Sequence, residues 1–331
     1  MSGTKTSLGV HLGLMATMVI WSLNVTAVKW LTDALDVMLV TTMRMASAAL
    51  VLVLLLYVGR QAFPRWRGRM LLMACACALL MVYANQAIFA AAMETTTATN
   101  AALILALNPL LNGVLEALFF SKRMSPQYWT GGVIAVAGVA VVILNGPAIH
   151  LGGPSAGDLM VFGSMLSFSL GVLLMQRLSR DNTPLAINVF LYLVGAFALL
   201  FHTAVRVDAP FEALNRLDWQ VWAVVVFSGA FASALGALAW ARGVAAMGLG
   251  KAAIYMSWVP VLGVGFGALL LGERLTQWHF FGMILVLTGT VMSSLTFERQ
   301  PAAKSGAGSQ PAIPLKQRLD NPETEGEFYE Q

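Results

Sequence analysis

Apolar residues run through this chain in blocks of about 20, the length a helix needs to cross the hydrocarbon core of a bilayer. Nearly charge-free runs lie near 8–30, 37–58, 70–93, 97–120 and 127–146, and again near 157–177, 185–205, 219–242, 252–272 and 277–297. The pattern predicts an all-α polytopic membrane protein with ten transmembrane helices. The first run continues through Trp21, Asn24 and Trp30 without a small-residue cleavage site, so it reads as a retained helix. From Glu298 to Gln331 the apolar pattern stops and Pro, Gly, Ser, Gln and Glu dominate, which predicts a disordered tail.

Composition sharpens this picture. Of 331 residues, 58% are hydrophobic and 11% charged, against about 25% charged in soluble domains; mean hydropathy is +0.74. A water-soluble fold is excluded. The formal charge of +4 is not gathered into a basic stripe, so no nucleic-acid partner is expected. The basic residues instead read as topology signals. Arg60, Arg65, Arg67, Arg69, Lys122, Arg123, Arg177, Arg180, Arg242, Lys251 and Arg299 fall on one side, and only Lys29, Arg206, Arg216 and Arg274 on the other. Under the positive-inside rule both termini are cytoplasmic. Cys75 and Cys77 are too close for an ordinary disulfide and too few for a metal site, and are read as packing residues.

The chain also repeats itself. A shift of 151 positions superposes Ala101-Ala102 on Ala252-Ala253, Pro109 on Pro260, Leu111 on Leu262 and Ala117-Leu118 on Ala268-Leu269. Arg123 then falls on Arg274, Gly131 on Gly282 and Gly138 on Gly289. The unit is five helices, an odd number, so the second copy enters the membrane upside down. This gives two five-helix inverted repeats, 1–146 and 147–297, followed by the cytoplasmic tail 298–331. Such a pair can exchange conformations and open one central site to either face.

The string Trp240-Ala241-Arg242-Gly243, Ala252-Ala253, Pro260, Gly272-Glu273-Arg274-Leu275, Gly282 and Gly289 resembles the repeat of the drug/metabolite transporter superfamily, EamA-type branch. Arg44, Asn108-Pro109, Gly131 and Gly138 carry the likeness in the first half, while Ser121-Lys122 stands where many relatives have Gly-Glu. The resemblance implies a ten-helix carrier of the bacterial inner membrane, usually exporting amino acids or other small metabolites. Its partners would be a small-molecule solute and the lipid bilayer, with protons as a candidate coupling ion and no cofactor. Organic cations and sugars are alternative cargoes of the same fold, and a channel or structural membrane protein is the alternative class. Oligomeric state has no signature in the sequence.

Several residues are candidates for the solute site. Pro109 and Pro260 fall near the middles of the fourth and ninth spans, where a kink either frees carbonyls toward a cavity or serves packing. Asn108, Asn112 and Glu116 recur every fourth position and share one face that cannot look at lipid. Glu116 is either a proton-coupling carboxylate or a structural acceptor. Arg44, about two turns into the second span, either meets a substrate carboxylate or pairs with Glu94 or Asp33; the ion pair is the stronger expectation. Tyr83, Asn85 and Gln86 in the third span, Trp21 and Asn24 in the first, and Lys251, Tyr255 and Trp258 in the ninth are candidates for a cavity wall suited to an amphipathic solute. Trp30, Trp66, Trp219, Trp222 and Trp278 sit near span ends and read as interfacial anchors. Gly263, Gly265 and Gly267 read as close helix packing, and His11, His202 and His279 lack metal-site spacing, so no metal is expected. No catalytic constellation such as His-Glu-x-x-His is present, and the protein is not expected to be an enzyme.

Overall fold

The structure, a computed structural model, describes residues 8–120, 124–145, 155–178, 182–207, 214, 217–247, 252 and 255–297. The loop Ser121-Lys122-Arg123, Lys251 and the tail lie outside these residues. Every element among the described residues is helical. Eight segments are long and apolar enough to cross a membrane: Leu8–Ala34, Val37–Val58, Arg69–Ala92, Ala98–Phe119, Pro126–Asn145, Ala156–Met175, Pro184–Arg206 and Trp219–Gly243. The ten expected spans are therefore matched by eight such segments, with Trp258–Leu271 shorter at 14 residues and Gln277–Phe297 following it.

Two of the uninterrupted helices have clear starts. In α1 (Leu8–Ala34) and α2 (Val37–Val58) the chain turns over within two residues, because the Asp36 carboxylate accepts from the amides of Met38 (2.8 Å) and Leu39 (3.1 Å). Thr183 caps α9 (Pro184–Arg206) in the same way, with proline at the first helical position, where its missing N–H costs nothing.

The third span is not one regular helix. It comprises α3 (Arg69–Ala78), a π-helical turn (Leu79–Ala84) and α4 (Asn85–Ala92). The eighth repeats the plan as α10 (Trp219–Val226), a second π turn (Phe227–Leu235) and α11 (Gly236–Met247). Both π turns end at positions 151 apart, Ala84 and Leu235. A π turn leaves backbone groups off register, and neighbours must satisfy them inside a membrane. Ser167 does so at Leu80 O (2.9 Å), and Trp21 Nε1 at Ala232 O (3.0 Å).

The fourth span is interrupted by a turn at Ala106-Leu107 that divides it into α5 (Ala98–Leu105) and α6 (Asn108–Phe120), just ahead of Pro109. Pro109 lacks the N–H that would bond Leu105 O, and its ring opposes that carbonyl; the chain tightens through Ala106 and Leu107 instead. A turn at Ser257 precedes α12 (Trp258–Leu271) and Pro260 in the same relation, 151 positions on.

α7 (Pro126–Asn145) and α13 (Gln277–Phe297) pack along their lengths. Gly131 faces Gly289 and Gly138 faces Gly282, each so close that an added Cβ would come within 2.7 Å of the partner's carbonyl oxygen. The helices are antiparallel, since the pairing runs up one and down the other. The main core joins α1, α4, α5, α7, α8 (Ala156–Leu178) and α13 through Val28, Phe89, Ala101, Ala135, Met165 and Val286.

Candidate functional site

The sequence-derived candidates do not form one cluster; the helices sort them into groups. The most enclosed group surrounds the second π turn. Arg44 is 1% exposed, held where α2 crosses that turn. Gly229 allows the approach: a Cβ there would lie 2.2 Å from Arg44 O and 1.8 Å from Ser47 Oγ. Arg44 Nε donates to Ser228 Oγ, and Ser228 Oγ donates to Asn24 Oδ1 at 2.5 Å. Tyr192 from α9 lies within electrostatic range of the guanidinium and donates to Ser233 O at 3.3 Å; Ser233 Oγ donates to Ser228 O at 2.9 Å. Trp21 completes the rim and tilts against Trp240 with ring centroids 5.8 Å apart.

The expected ion pair of Arg44 with Glu94 or Asp33 does not form. Asp33 pairs with Lys29 at 3.0 Å one turn away on α1, and Glu94 is exposed beyond the end of α4. No carboxylate meets Arg44 among the described residues, and its Nη1 is buried without a hydrogen-bond partner.

A second group lines α8. Asn85 Nδ2 donates to Ser164 O (2.9 Å) and Gln86 Nε2 to Asn85 Oδ1 (2.8 Å), while Gln86 Oε1 is buried without a partner. Asn108 Oδ1 accepts from Asn112 Nδ2 (3.1 Å) and Ser169 Oγ (3.4 Å). Asn108, at the start of α6, thus faces α8, and Asn112 bonds it one turn on. Glu116, two turns on, is half-buried within electrostatic range of Tyr128.

The remaining candidates lie apart. Tyr83 bonds His202 at 2.9 Å, and Tyr255 bonds His11. Trp258 is 47% exposed, and the turn at Ser257 lies between it and Tyr255. Trp66 packs edge-on against Phe190 at 5.0 Å and buries its Nε1. Trp219, by contrast, is 76% exposed. Cys77 is buried against α8 and bonds Gly171 O, a packing role. Gly263 meets Ala102 and Gly267 meets Thr99 and Glu273, whereas Gly265 faces open space. No three metal-ligating side chains gather among the described residues.

Sequence reasoning missed Ser228, Ser233, Tyr192 and Glu273. The signal for the serines was the small-residue run Phe227-Ser228-Gly229-Ala230, which marks close helix approach in membranes. Glu273 accepts from the amides of Ala98 (2.7 Å) and Thr99 (2.9 Å), capping α5 from the distant end of the chain. Asp158 holds the same segment through Thr96 Oγ1 at 2.5 Å.

Comparison with known proteins places this architecture. The model of the EamA-like transporter family matches twice, over 8–144 and 155–295. The uncharacterized transporter YetK of Bacillus subtilis (strain 168) is 26% identical over 310 residues, covering 92% of each chain. A probable amino-acid metabolite efflux pump of Escherichia coli (strain K12) is 24% identical, covering 62% of this chain and 71% of its own. One crystal structure superposes with a TM-score of 0.64 at 15% identity over 88% of this chain and 99% of its own, a likeness of fold alone. With two family matches and eight membrane-length apolar helices, this chain is a multi-pass membrane protein that belongs to the EamA-like transporter family.

Proposed function

We propose that the chain is a secondary carrier that exports amino acids or related amphipathic metabolites across the inner membrane by alternating access. The observation that carries this reading is the placing of helix breaks at matched positions in the two halves. The third and eighth spans each contain a π turn, and the turns before Pro109 and Pro260 lie 151 positions apart. Broken helices inside a bilayer are tolerated only where protein or water satisfies the freed backbone, which is where carriers bind solutes. Two five-helix repeats in opposite orientation, hinged at such breaks, have two equivalent arrangements, one open to each face.

The antiparallel contact of α7 with α13 supports the inverted arrangement. Gly131 and Gly138 superpose on Gly282 and Gly289, yet each touches the counterpart of the other, the exchange a two-fold axis produces. The charge bias of the loops supports cytoplasmic termini. The named activity of the Escherichia coli relative supports amino-acid export. Energy would come from the solute gradient or from proton exchange, with Glu116 as the candidate proton carrier.

The test is counterflow. Purified protein in liposomes loaded with one unlabelled solute is offered labelled amino acids, a quaternary cation or a sugar. Saturable accumulation that requires internal solute establishes a carrier and identifies its cargo class. Non-saturable flux without counterflow would make the protein a channel, and no flux through folded protein would leave a structural role.

A further inference from the structure

Arg44 poses a problem in physical chemistry. A guanidinium keeps its charge under nearly all conditions, and a charged group buried in a membrane protein is normally paired. Here it is 1% exposed and has a neutral serine as its hydrogen-bond partner. Nη1 is buried with no partner, and no carboxylate is within ion-pair distance among the described residues.

Packing does not demand the charge. The position 151 residues on is Gly195, and its surroundings are the counterpart of those of Arg44: it lies against the first π turn, where a Cβ would come 2.5 Å from Val82 and 3.5 Å from Ala78 O. At this position α9 meets the first π turn without a side chain, so the equivalent close approach of α2 to the second π turn does not in itself call for a cation.

We propose that Arg44 is the anchor for a solute carboxylate, with Ser228 and Asn24 orienting its guanidinium, and that the cargo class is amphipathic monocarboxylates, amino acids among them. This rests on the carrier reading above. One positive charge lacking a counter-ion is matched by one carboxylate, and the planar fork suits a bidentate contact with its two oxygens. The second π turn packs on Arg44 in this conformation, with Gly229 against its backbone carbonyl and Ser228 Oγ on its Nε, so access to the buried guanidinium requires that turn to move from α2, which is the motion expected of a helix irregular at that point. Trp21 and Trp240 flank the same turn and offer an apolar surface for the remainder of the solute. Ser228 and Asn24 are positioning residues: they fix Nε so that Nη1 stays free.

The experiment is counterflow in liposomes with phenylalanine, leucine and phenylpropionate, each competed against its uncharged amide, alongside tetraphenylphosphonium and glucose. Wild type is expected to exchange at least one carboxylate and to discriminate against its amide. Arg44→Gln is expected to weaken the carboxylate by about 10- to 100-fold, the loss of one charge-assisted bidentate contact, and to abolish discrimination against the amide. Thermal unfolding and monodispersity establish that the variant is folded. Where Arg44→Gln does not fold, Arg44→Lys and Ser228→Ala carry the test, since both are expected to lose part of the same discrimination. A folded variant with unchanged affinity and discrimination overturns the anchor. Exchange confined to tetraphenylphosphonium or glucose also overturns it while leaving the carrier reading standing. No exchange of any solute by folded wild type overturns both.

Discussion

Gly131 and Gly289 meet backbone to backbone: a Cβ on Gly289 would stand 2.4 Å from Gly131 O and from Ala135 N, with no flexible side chain able to yield. Gly289→Ala is therefore expected to destabilise the protein by about 1–3 kcal/mol, the range for overpacking a tight contact. Gly163→Ala is the control, because nothing lies within 4 Å of its added Cβ. There the helix-propensity gain of about 0.5–1 kcal/mol should dominate. Thermal unfolding in detergent checks both, and a Gly289→Ala midpoint at or above wild type would sink the account of this contact.

Glu273 supplies the cap for α5 from across the fold. Its replacement by alanine leaves the amides of Ala98 and Thr99 without their acceptor, at a cost of about 1 kcal/mol. Glu273→Gln keeps one acceptor oxygen and should lie between alanine and wild type. The position 151 residues earlier is Lys122, whose side chain only donates, so the first half cannot supply a matching carboxylate cap. Unfolding midpoints of the three proteins in one buffer decide the order.

The span pattern was legible because bilayer thickness imposes a length on apolar runs that no other constraint imitates. Pro109 and Pro260 likewise announced a disturbance, but its extent depends on whether neighbours stabilise a bend or a break. Leu79–Ala84 contains neither proline nor glycine, so the first π turn had no local signature. It is held from outside, by Ser167 on Leu80 O and by the close approach of Gly195 to Val82. Arg44 was legible as an unusual charge, but its partner is 184 residues away on another helix, and local spacing pointed to Asp33 and Glu94 instead. Asn85 bonds Ser164 and Asn108 bonds Ser169, and that α8 is what they face follows only from tertiary packing.

Asn112 has its side chain bonded to Asn108, whose oxygen also receives Ser169. Asn112→Leu removes one donor and leaves Asn108 still partnered, so stability should change by less than about 1 kcal/mol. If this face lines the solute path, half-saturating solute concentration should rise about three- to tenfold, the equivalent of one neutral hydrogen bond. Unchanged concentration dependence in counterflow would move the path away from α6.

Glu116 is tested by separating exchange from net transport. Glu116→Gln preserves size and most hydrogen-bonding capacity while removing the proton-binding site. In a carrier coupled through this residue, solute exchange should persist while the pH dependence of net uptake disappears. Uptake driven by an imposed pH gradient, measured beside counterflow on the same vesicles, makes the comparison. A pH response equal to that of wild type would assign coupling to another group.

Pro109 sits at the second position of α6, and the break ahead of it separates that helix from α5. Replacement by alanine restores an amide that could bond Leu105 O and removes the ring opposing that carbonyl, so a continuous helix becomes accessible. A continuous helix is the more stable local state but has lost its hinge. Pro109→Ala is thus expected to raise or maintain the unfolding midpoint while slowing exchange, and Pro260→Ala to do the same from the equivalent position. Because the two breaks would move together in a carrier built from paired repeats, the double variant should slow exchange by more or less than the product of the single effects. Initial counterflow rates of the four proteins at saturating solute measure this coupling. Rates equal to wild type in both single variants would show that the breaks are structural and that the moving parts lie elsewhere, with the π turns as the next hinges to alter.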